Sequence, residues 1–242
     1  MPNYKMLIEY DGGRFAGWQI QPNIRTVQGD LEEAIFVATR ERVRLHCAGR
    51  TDRGVHAMEQ VANFKTVQPI EPDKLRAAVN GITQSDIVVH EIAPAADTFH
   101  ARFDAKARQY IYFISLAPLA IGRQYAYYCK FPLQIEAMKK AAEHLYGEHH
   151  FEAFSQKVPG ERHYLSRVEL IEWQVEDTRL SFRIRANRFL HHMVRLLVGT
   201  LIQVGREKIT PDEFKTILEA RTRDHPGFKA PAHGLFLEKI FY

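Results

Sequence analysis

Apolar residues recur along this chain at two spacings, and the changes between them outline the elements. "YKMLIEY" (Tyr4 to Tyr10) reads as a strand closed by the turn "DGG". "TVQGDLEEAIFVATR" carries Val27, Leu31, Ile35 and Ala38 on one helical stripe. "RVRLHC" and "QVANFK" read as two short strands on either side of a glycine-bounded turn. "EPDKLRAAVNGI" has a proline in its first turn and predicts a helix stopped by Gly81. "DIVVHEI" completes a β-α-β-β-α-β order.

The second half repeats that order without repeating the sequence. "QYIYFISL" is apolar on both faces, as an interior strand requires. "QIEAMKKAAEHLYG" predicts an amphipathic helix with Gly147 as its C-terminal stop. "RVELIEWQVE" and "RLSFRIRAN" follow as strands. In the latter Leu180, Phe182, Ile184 and Ala186 alternate with Ser181, Arg183, Arg185 and Asn187, giving one buried face and one polar, basic face. "RFLHHMVRLLVGTLIQVG" is almost wholly apolar and predicts a buried helix. In "TPDEFKTILEA", Thr210 stands as N-cap, Pro211 follows in the first turn, and Glu213 lies three residues past the cap. "GLFLEKIFY" closes the chain as a strand.

Two such units predict an α+β protein of two ferredoxin-like halves with mostly antiparallel sheets. The expected division is 1–105 and 106–242, with the join near Asp104 to Ala107 and the sheets joined. The RNA-recognition module shares this plan and binds RNA on its sheet face, but element order alone does not give a function.

Composition narrows the possibilities. The chain has 242 residues, of which 45% are hydrophobic, enough for a real core. No apolar run approaches the roughly 20 residues of a membrane span. The chain opens directly on a strand-like segment, without the apolar stretch of a signal peptide. Two cysteines, Cys47 and Cys129, are too few for a disulfide framework or a zinc site. These features predict a reduced, cytoplasmic protein without metal or membrane association. Net charge is +4 and the isoelectric point about 9.0. Arginines crowd the first quarter, which suits a polyanionic partner such as nucleic acid; an ordinary soluble surface is the other reading.

The motif scan excludes several chemistries. G-x-x-x-x-G-K, G-x-G-x-x-G, H-E-x-x-H and G-x-S-x-G are all absent. His149–His150 and His191–His192 are adjacent pairs, expected to point to different sides of an element rather than onto one metal. The strongest positive signal is "CAGRTDRGVHA", Cys47 to Ala57. It sets Asp52 between Arg50 and Arg53, with Gly49 and Gly54 on either side. Cations near a carboxylate favour its ionised form, and glycines let a ligand approach the backbone. Asp52 therefore reads either as a nucleophile or general base, or as a turn aspartate bonding its own backbone. In "FLHHMVRLLVG", His192, Arg195 and Gly199 share one stripe of an apolar helix. Arg195 is either buried, and then needs an anionic partner such as Asp52, or reaches solvent along its stem. In "FHARFDAKARQYIYF", Tyr110 and Tyr112 share a strand face close to arginines. Base stacking and half-burial in a core strand are both open to them.

"GWQIQPNIRTVQGDLEEAI", "CAGRTDRGVHA", "FHARFDAKARQYIY", "NRFLHHMVRLLVG" and "GLFLEKIFY" occur in an order and at a spacing that resemble the tRNA pseudouridine synthase A family over essentially the whole chain. The combination of G-R-T-D-x-G-V-H with F-x-H-H-M-V-R has few competitors. One departure is "NGITQSDIVV", where many relatives carry a Leu-Pro turn.

The resemblance implies an isomerase that converts uridine to pseudouridine on the 3′ side of the tRNA anticodon stem-loop, at positions 38, 39 and/or 40. It implies two halves around a central basic cleft, a homodimer, and no metal or organic cofactor. Asp52 would be the essential aspartate and Arg50 would help displace the target base. Tyr110 would stack on the uracil, and Arg195 would pair with the aspartate. The expected substrate contacts are Arg14 and Gln19 near the N-terminus, then Arg50, Arg53, Gly54 and His56 in the turn motif. Arg108 and Tyr110 follow, and Arg188 and His192 complete the set. A non-catalytic RNA-binding module and a glycosidase are the competing readings. The first leaves the Arg50, Asp52, Tyr110 and Arg195 set unused, and the second wants a second catalytic carboxylate that these motifs lack.

Overall fold

The computed structural model describes residues 1–157, 160, 163–223 and 227–242. The chain divides into two compact units, Met1–Lys106 with Phe236–Tyr242, and Ala107–Leu235. Both mix helices with mostly antiparallel strands, in keeping with the α+β expectation. Most of the closing strand belongs to the first unit, although sequence order puts it with the second.

The first unit runs β1 (Asn3–Tyr10), α1 (Val27–Thr39), β2 (His46–Cys47), β3 (His56–Lys65), α2 (Pro72–Ile82) and β4 (Ile87–Ala95). β1 lies between β4 and β3, antiparallel to both. The free edge of β3 is shared. β2 pairs antiparallel near Asn63, and the closing strand pairs parallel at His56 and Ala57. The alternation in β1 works as its pattern predicts: Tyr4, Met6, Ile8 and Tyr10 are buried, and the Tyr4 ring stacks on Phe64. α1 begins where the Thr26 side chain accepts the Gly29 N–H. α2 starts on Pro72 as expected, but Gly81 does not stop it. The helix continues to Ile82, and Thr83 caps it in an extended conformation.

The second unit runs β5 (Ala107–Ser115), β6 (Tyr127–Tyr128), α3 (Ile135–Glu143), β7 (Gly147–His150), β8 (Leu165–Glu176), β9 (Arg179–Ala186), α4 (Met193–Gly205) and α5 (Pro211–Ala220), leading into β10 (Leu235–Phe241). Its antiparallel sheet has the order β5-β9-β8-β7, and β6 adds a short parallel pairing to β5. β9 buries Leu180, Phe182, Ile184 and Ala186 and leaves Arg183 and Arg185 half-buried on the other face. α5 forms the full capping box between Thr210 and Glu213.

Three further details differ from the pattern reading. β6 and β7 are additional strands. α3 ends at Glu143, and Gly147, with φ of +93°, opens β7 instead of closing the helix. α4 begins only at Met193. His192 precedes it in the left-handed region with φ of 63°, so it is a cap residue and not part of the helical stripe.

Candidate active site

Asp52 sits on the turn between β2 and β3, and four residues from other parts of the first unit hold that turn. Before Asp52, the Gln60 amide donates to the Gly49 carbonyl at 2.7 Å. At Thr51 the carbonyl accepts the Trp18 N–H at 3.1 Å, while the hydroxyl meets the Tyr10 hydroxyl at 2.7 Å. After Asp52, the Val55 N–H closes the turn on the Asp52 carbonyl, and the Gly54 N–H reaches the Phe15 carbonyl. Gly54 has φ of +77°, a conformation that favours glycine.

The segment underneath fits by having no side chains at two points. A Cβ on Gly12 would lie 2.0 Å from the Val55 carbonyl oxygen, and one on Gly17 2.6 Å from that of Thr51. Gly12 also donates its N–H to Nδ1 of the buried His56 at 3.0 Å. Asp11 Oδ1 lies equally close to that nitrogen. One ring nitrogen cannot accept from Gly12 and donate to Asp11 together, and the Gly12 N–H directed at it favours acceptance. The His56 ring stacks on Phe236 at 4.5 Å. This lower segment is in turn fixed by Arg25, whose guanidinium makes a two-pronged contact with Asp86 at 2.6 and 2.8 Å and also reaches Asp30.

Asp52, Gly54 and Gln19 are half-buried, Arg14, Arg50 and Arg53 are exposed, and His56 is buried. His56 therefore supports the turn from below.

In the second unit the predicted residues lie on or beside regular elements. Tyr110 stands on β5 opposite Ile184, only 8% exposed, with the Phe189 ring edge-on at 5.0 Å. Arg108 donates to the Asn187 carbonyl at 2.9 Å, and the Arg188 carbonyl accepts the Ser166 hydroxyl. Arg195 occupies the first turn of α4 and is half-buried. Its Nε donates to the Ala230 carbonyl at 2.7 Å, and the Ala230 N–H returns a bond to the Arg195 carbonyl. Gly199 permits this: a Cβ there would lie 1.6 Å from the Phe228 carbonyl oxygen. His192 Nδ1 is 3.5 Å from the Lys229 ammonium. Its ring lies 3.9 Å from that of His191, so this pair does not diverge as adjacency in sequence predicts; the left-handed backbone at His192 breaks the regular alternation.

Burial dominates the titration of the groups around the turn. It raises the Tyr10 hydroxyl well above its usual range, so this group stays a neutral hydrogen-bonding partner of Thr51. Burial also pushes the Cys47 thiol up to about 12, against the opposing pull of Arg50 and Arg102, so Cys47 is no nucleophile at neutral pH. Tyr112 is raised by burial and donates to the Pro231 carbonyl at 2.9 Å.

A family model described as tRNA pseudouridine synthase matches residues 6–104 and 141–242. The chain belongs to the tRNA pseudouridine synthase family. Proteins called tRNA pseudouridine synthase A resemble it from end to end. The one from Thermoanaerobacter sp. (strain X514) is 42% identical and that from Acetivibrio thermocellus 41%, each over 100% of both chains. The one from Bacillus subtilis (strain 168) is 39% identical over 98% of both chains.

The two stretches matched to the tRNA pseudouridine synthase model contain the Asp52 turn, Arg188, His192 and Arg195, while Arg108 and Tyr110 fall between them. Pattern reading overlooked the residues that hold the turn: Tyr10, Gly12, Gly17, Trp18 and Gln60. A signal was present in the glycines of "DGG" and "AGW", spaced closely before the helix. Their purpose shows only once the backbone they must approach is known.

Proposed function

We propose that this member of the tRNA pseudouridine synthase family isomerises uridine to pseudouridine in the anticodon stem-loop of tRNA, at positions 38, 39 and/or 40, with Asp52 as the essential carboxylate. The observation that carries this reading is the placement of Asp52. It is half-exposed on a turn where the Gly49, Thr51 and Asp52 carbonyls and the Gly54 and Val55 N–H groups are hydrogen-bonded. An acid held this way reaches an incoming base without first losing conformational freedom.

The chemistry balances with nothing added. The bond from uracil N1 to the ribose breaks, the base turns, and C5 bonds to the same sugar carbon. The C5 proton then leaves and N1 gains one. Asp52 acts by attacking the sugar or base, or by removing a sugar proton to give a glycal-like intermediate. Extruding the uridine costs a few kcal/mol, and stacking on an aromatic side chain offsets about 1–3 kcal/mol. Tyr110 is the proposed stacking residue, Arg50 the one that helps displace the base, and Arg195 the supporting guanidinium. Arg14, Gln19, Arg53, Gly54, His56, Arg108, Arg188 and His192 are proposed to bind or shape the RNA site. A cytoplasmic homodimer acting on tRNA is the working form proposed. The finer fold reading, ferredoxin-like halves over 1–105 and 106–242, draws support from the strand order β4-β1-β3-β2 of the first unit.

The test uses tRNA tritiated at uridine C5. The protein should release tritium to water, and Asp52→Ala should abolish release while tRNA still binds. Equal release by the variant would remove Asp52 from the reaction. Binding without release by the unaltered protein would leave an RNA-binding module.

A further inference from the structure

The first unit contains a cavity of about 550 Å³ that none of the proposed site residues lines. Arg42, Arg44, His46, Lys65 and His100 bring cationic or imidazole groups to its wall. Glu41 and Asp97 are its acids, and one oxygen of Glu41 already accepts the Val67 N–H. Arg42 is engaged by Glu33 and by the Phe36 ring. Among the described residues Arg44 pairs with Glu32 alone, at 3.8 Å, and the other oxygen of Glu32 accepts the Leu45 N–H. Lys65 is exposed and makes no ion pair among the described residues. Register explains the grouping: His46 pairs with Asn63, so Arg44 and Lys65 extend from the same end of the β2–β3 ladder.

At one side of this basic wall stands a row of rings. His46 lies 5.0 Å from His100, and His100 lies 4.3 Å from Phe103. Phe103 is 73% exposed, unusual for so large an apolar ring, and the Arg102 guanidinium stands 5.7 Å from it. The loop that carries them is fixed. Asn3 donates to the carbonyls of Ala96 and Phe99 at 2.8 and 2.9 Å, and Asn63 accepts the Ala101 N–H at 2.9 Å. The Arg102 N–H donates to His100 Nδ1 at 3.1 Å and holds the ring in place.

We propose that this cavity holds one unstacked nucleotide of the RNA substrate, its phosphate between Arg44 and Lys65 and its base against the His100–Phe103 rings. Cations that follow a phosphate beside exposed rings are the combination that single-stranded nucleic acid selects. A protein partner would draw little from the pairing of an exposed lysine with an imidazole row. The inference rests on the reading of the protein as a tRNA-modifying enzyme, and adds a second anchoring point to it.

The experiment measures binding of full-length tRNA across a salt series for the unaltered protein, for Phe103→Ala, and for Arg44→Gln with Lys65→Gln. Phe103→Ala should raise Kd by about tenfold, within the range of a lost stacking contact. The double variant should flatten the slope of log K against log salt by about 1.5, two phosphate contacts' worth. In tritium release, the loss should be carried by KM. These side chains are exposed, and thermal melts should confirm that the variants fold. Unchanged Kd and salt slope would overturn the proposal. So would calorimetry showing that uridine 5′-monophosphate binds the cavity and that the variants lose this binding while keeping tRNA affinity; the occupant would then be a free nucleotide. Tritium release by the unaltered protein reports the isomerase reading separately. Its absence defeats that reading, whereas release with unaffected variants defeats only the cavity assignment.

Discussion

The Asp52 turn and the entry to α4 solve one problem by opposite means. In the first unit the proposed catalytic residue stands on irregular backbone, and side chains and glycines from other segments hold it. In the second, Tyr110 is placed by strand register and Arg195 by the first turn of a helix, with the segment Phe228 to Ala230 laid against it. Irregular backbone leaves many polar groups to be satisfied one at a time, so the first region draws on more residues. A regular element satisfies its own backbone and needs only an approach partner. The first region should therefore be easier to damage through residues that never touch substrate.

The largest effects should come from the close approaches. Gly12→Ala forces a methyl group onto the Val55 carbonyl, and Gly199→Ala forces one onto that of Phe228; neither backbone has an easy way to yield. Each should cost about 3 kcal/mol or more of stability, at the upper end of overpacking penalties. Their consequences for catalysis should differ. Gly12→Ala shifts the turn itself and should lower kcat at least a hundredfold at a temperature where the protein stays folded. Gly199→Ala displaces the partner of Arg195 and should cost less. Denaturant melts with tritium release on the same samples check both. Near-normal kcat for folded Gly12→Ala would show that the turn does not depend on the segment beneath it.

The Arg25–Asp86 contact gives the next effect, and one that depends on pH. The Arg25 guanidinium holds the Asp86 carboxyl below the usual carboxylate range. A carboxylate whose folded pKa is depressed adds stability that is present above its unfolded pKa and is lost as pH falls through the folded value. Asp86→Asn should therefore cost about 2 kcal/mol near neutrality, the worth of a charge-assisted pair. The difference from the unaltered protein should shrink as the medium is acidified below about pH 4. A gap that stays constant into acid would assign the loss to something other than the carboxylate charge.

Much of this was legible in the residues. The alternation of β9, the cap and acidic partner of α5, and the G-R-T-D turn all follow rules that act within a few positions, so a single sequence displays them. What escaped depends on distant partners. Gly81 looked like a stop, but Asn80 bonds both backbone groups of Val89 on β4, and Thr83 bonds back to the Val79 carbonyl. Those bonds decide where α2 ends. α3 gives way at Glu143 to turns closed by His144, Leu145 and Tyr146, and Gly147 is left for the next strand. At the start of α4 the apolar run continues through the real boundary, so hydrophobicity alone extends the helix too far, and only the left-handed backbone at His192 marks the break. β6 and β7, of two and four residues, are too short to show a period. Tyr10, Trp18 and Gln60 give no local signal, because their use is a hydrogen bond to a turn that lies 41 residues from Tyr10 and 11 from Gln60.

The smallest effects compare two buried hydroxyl contacts of similar strength. Thr51→Val keeps the shape of the side chain but removes the partner of the Tyr10 hydroxyl, which is left with a 3.5 Å contact to Gln60. Tyr112→Phe removes a bond to the Pro231 carbonyl. Each should cost about 1 kcal/mol, the usual net value of an intramolecular hydrogen bond with some penalty for the group left behind. Urea midpoints should thus move by comparable amounts. Tritium release should not, because Thr51 is bonded to Asp52 through the backbone and Tyr112 is anchored in a strand whose ladder holds it regardless. Thr51→Val should lower kcat about tenfold with KM little changed, and Tyr112→Phe should lower it less than twofold. Equal losses in kcat would mean that the second unit relies on individual hydrogen bonds as heavily as the first, and the contrast between irregular and regular support would fail.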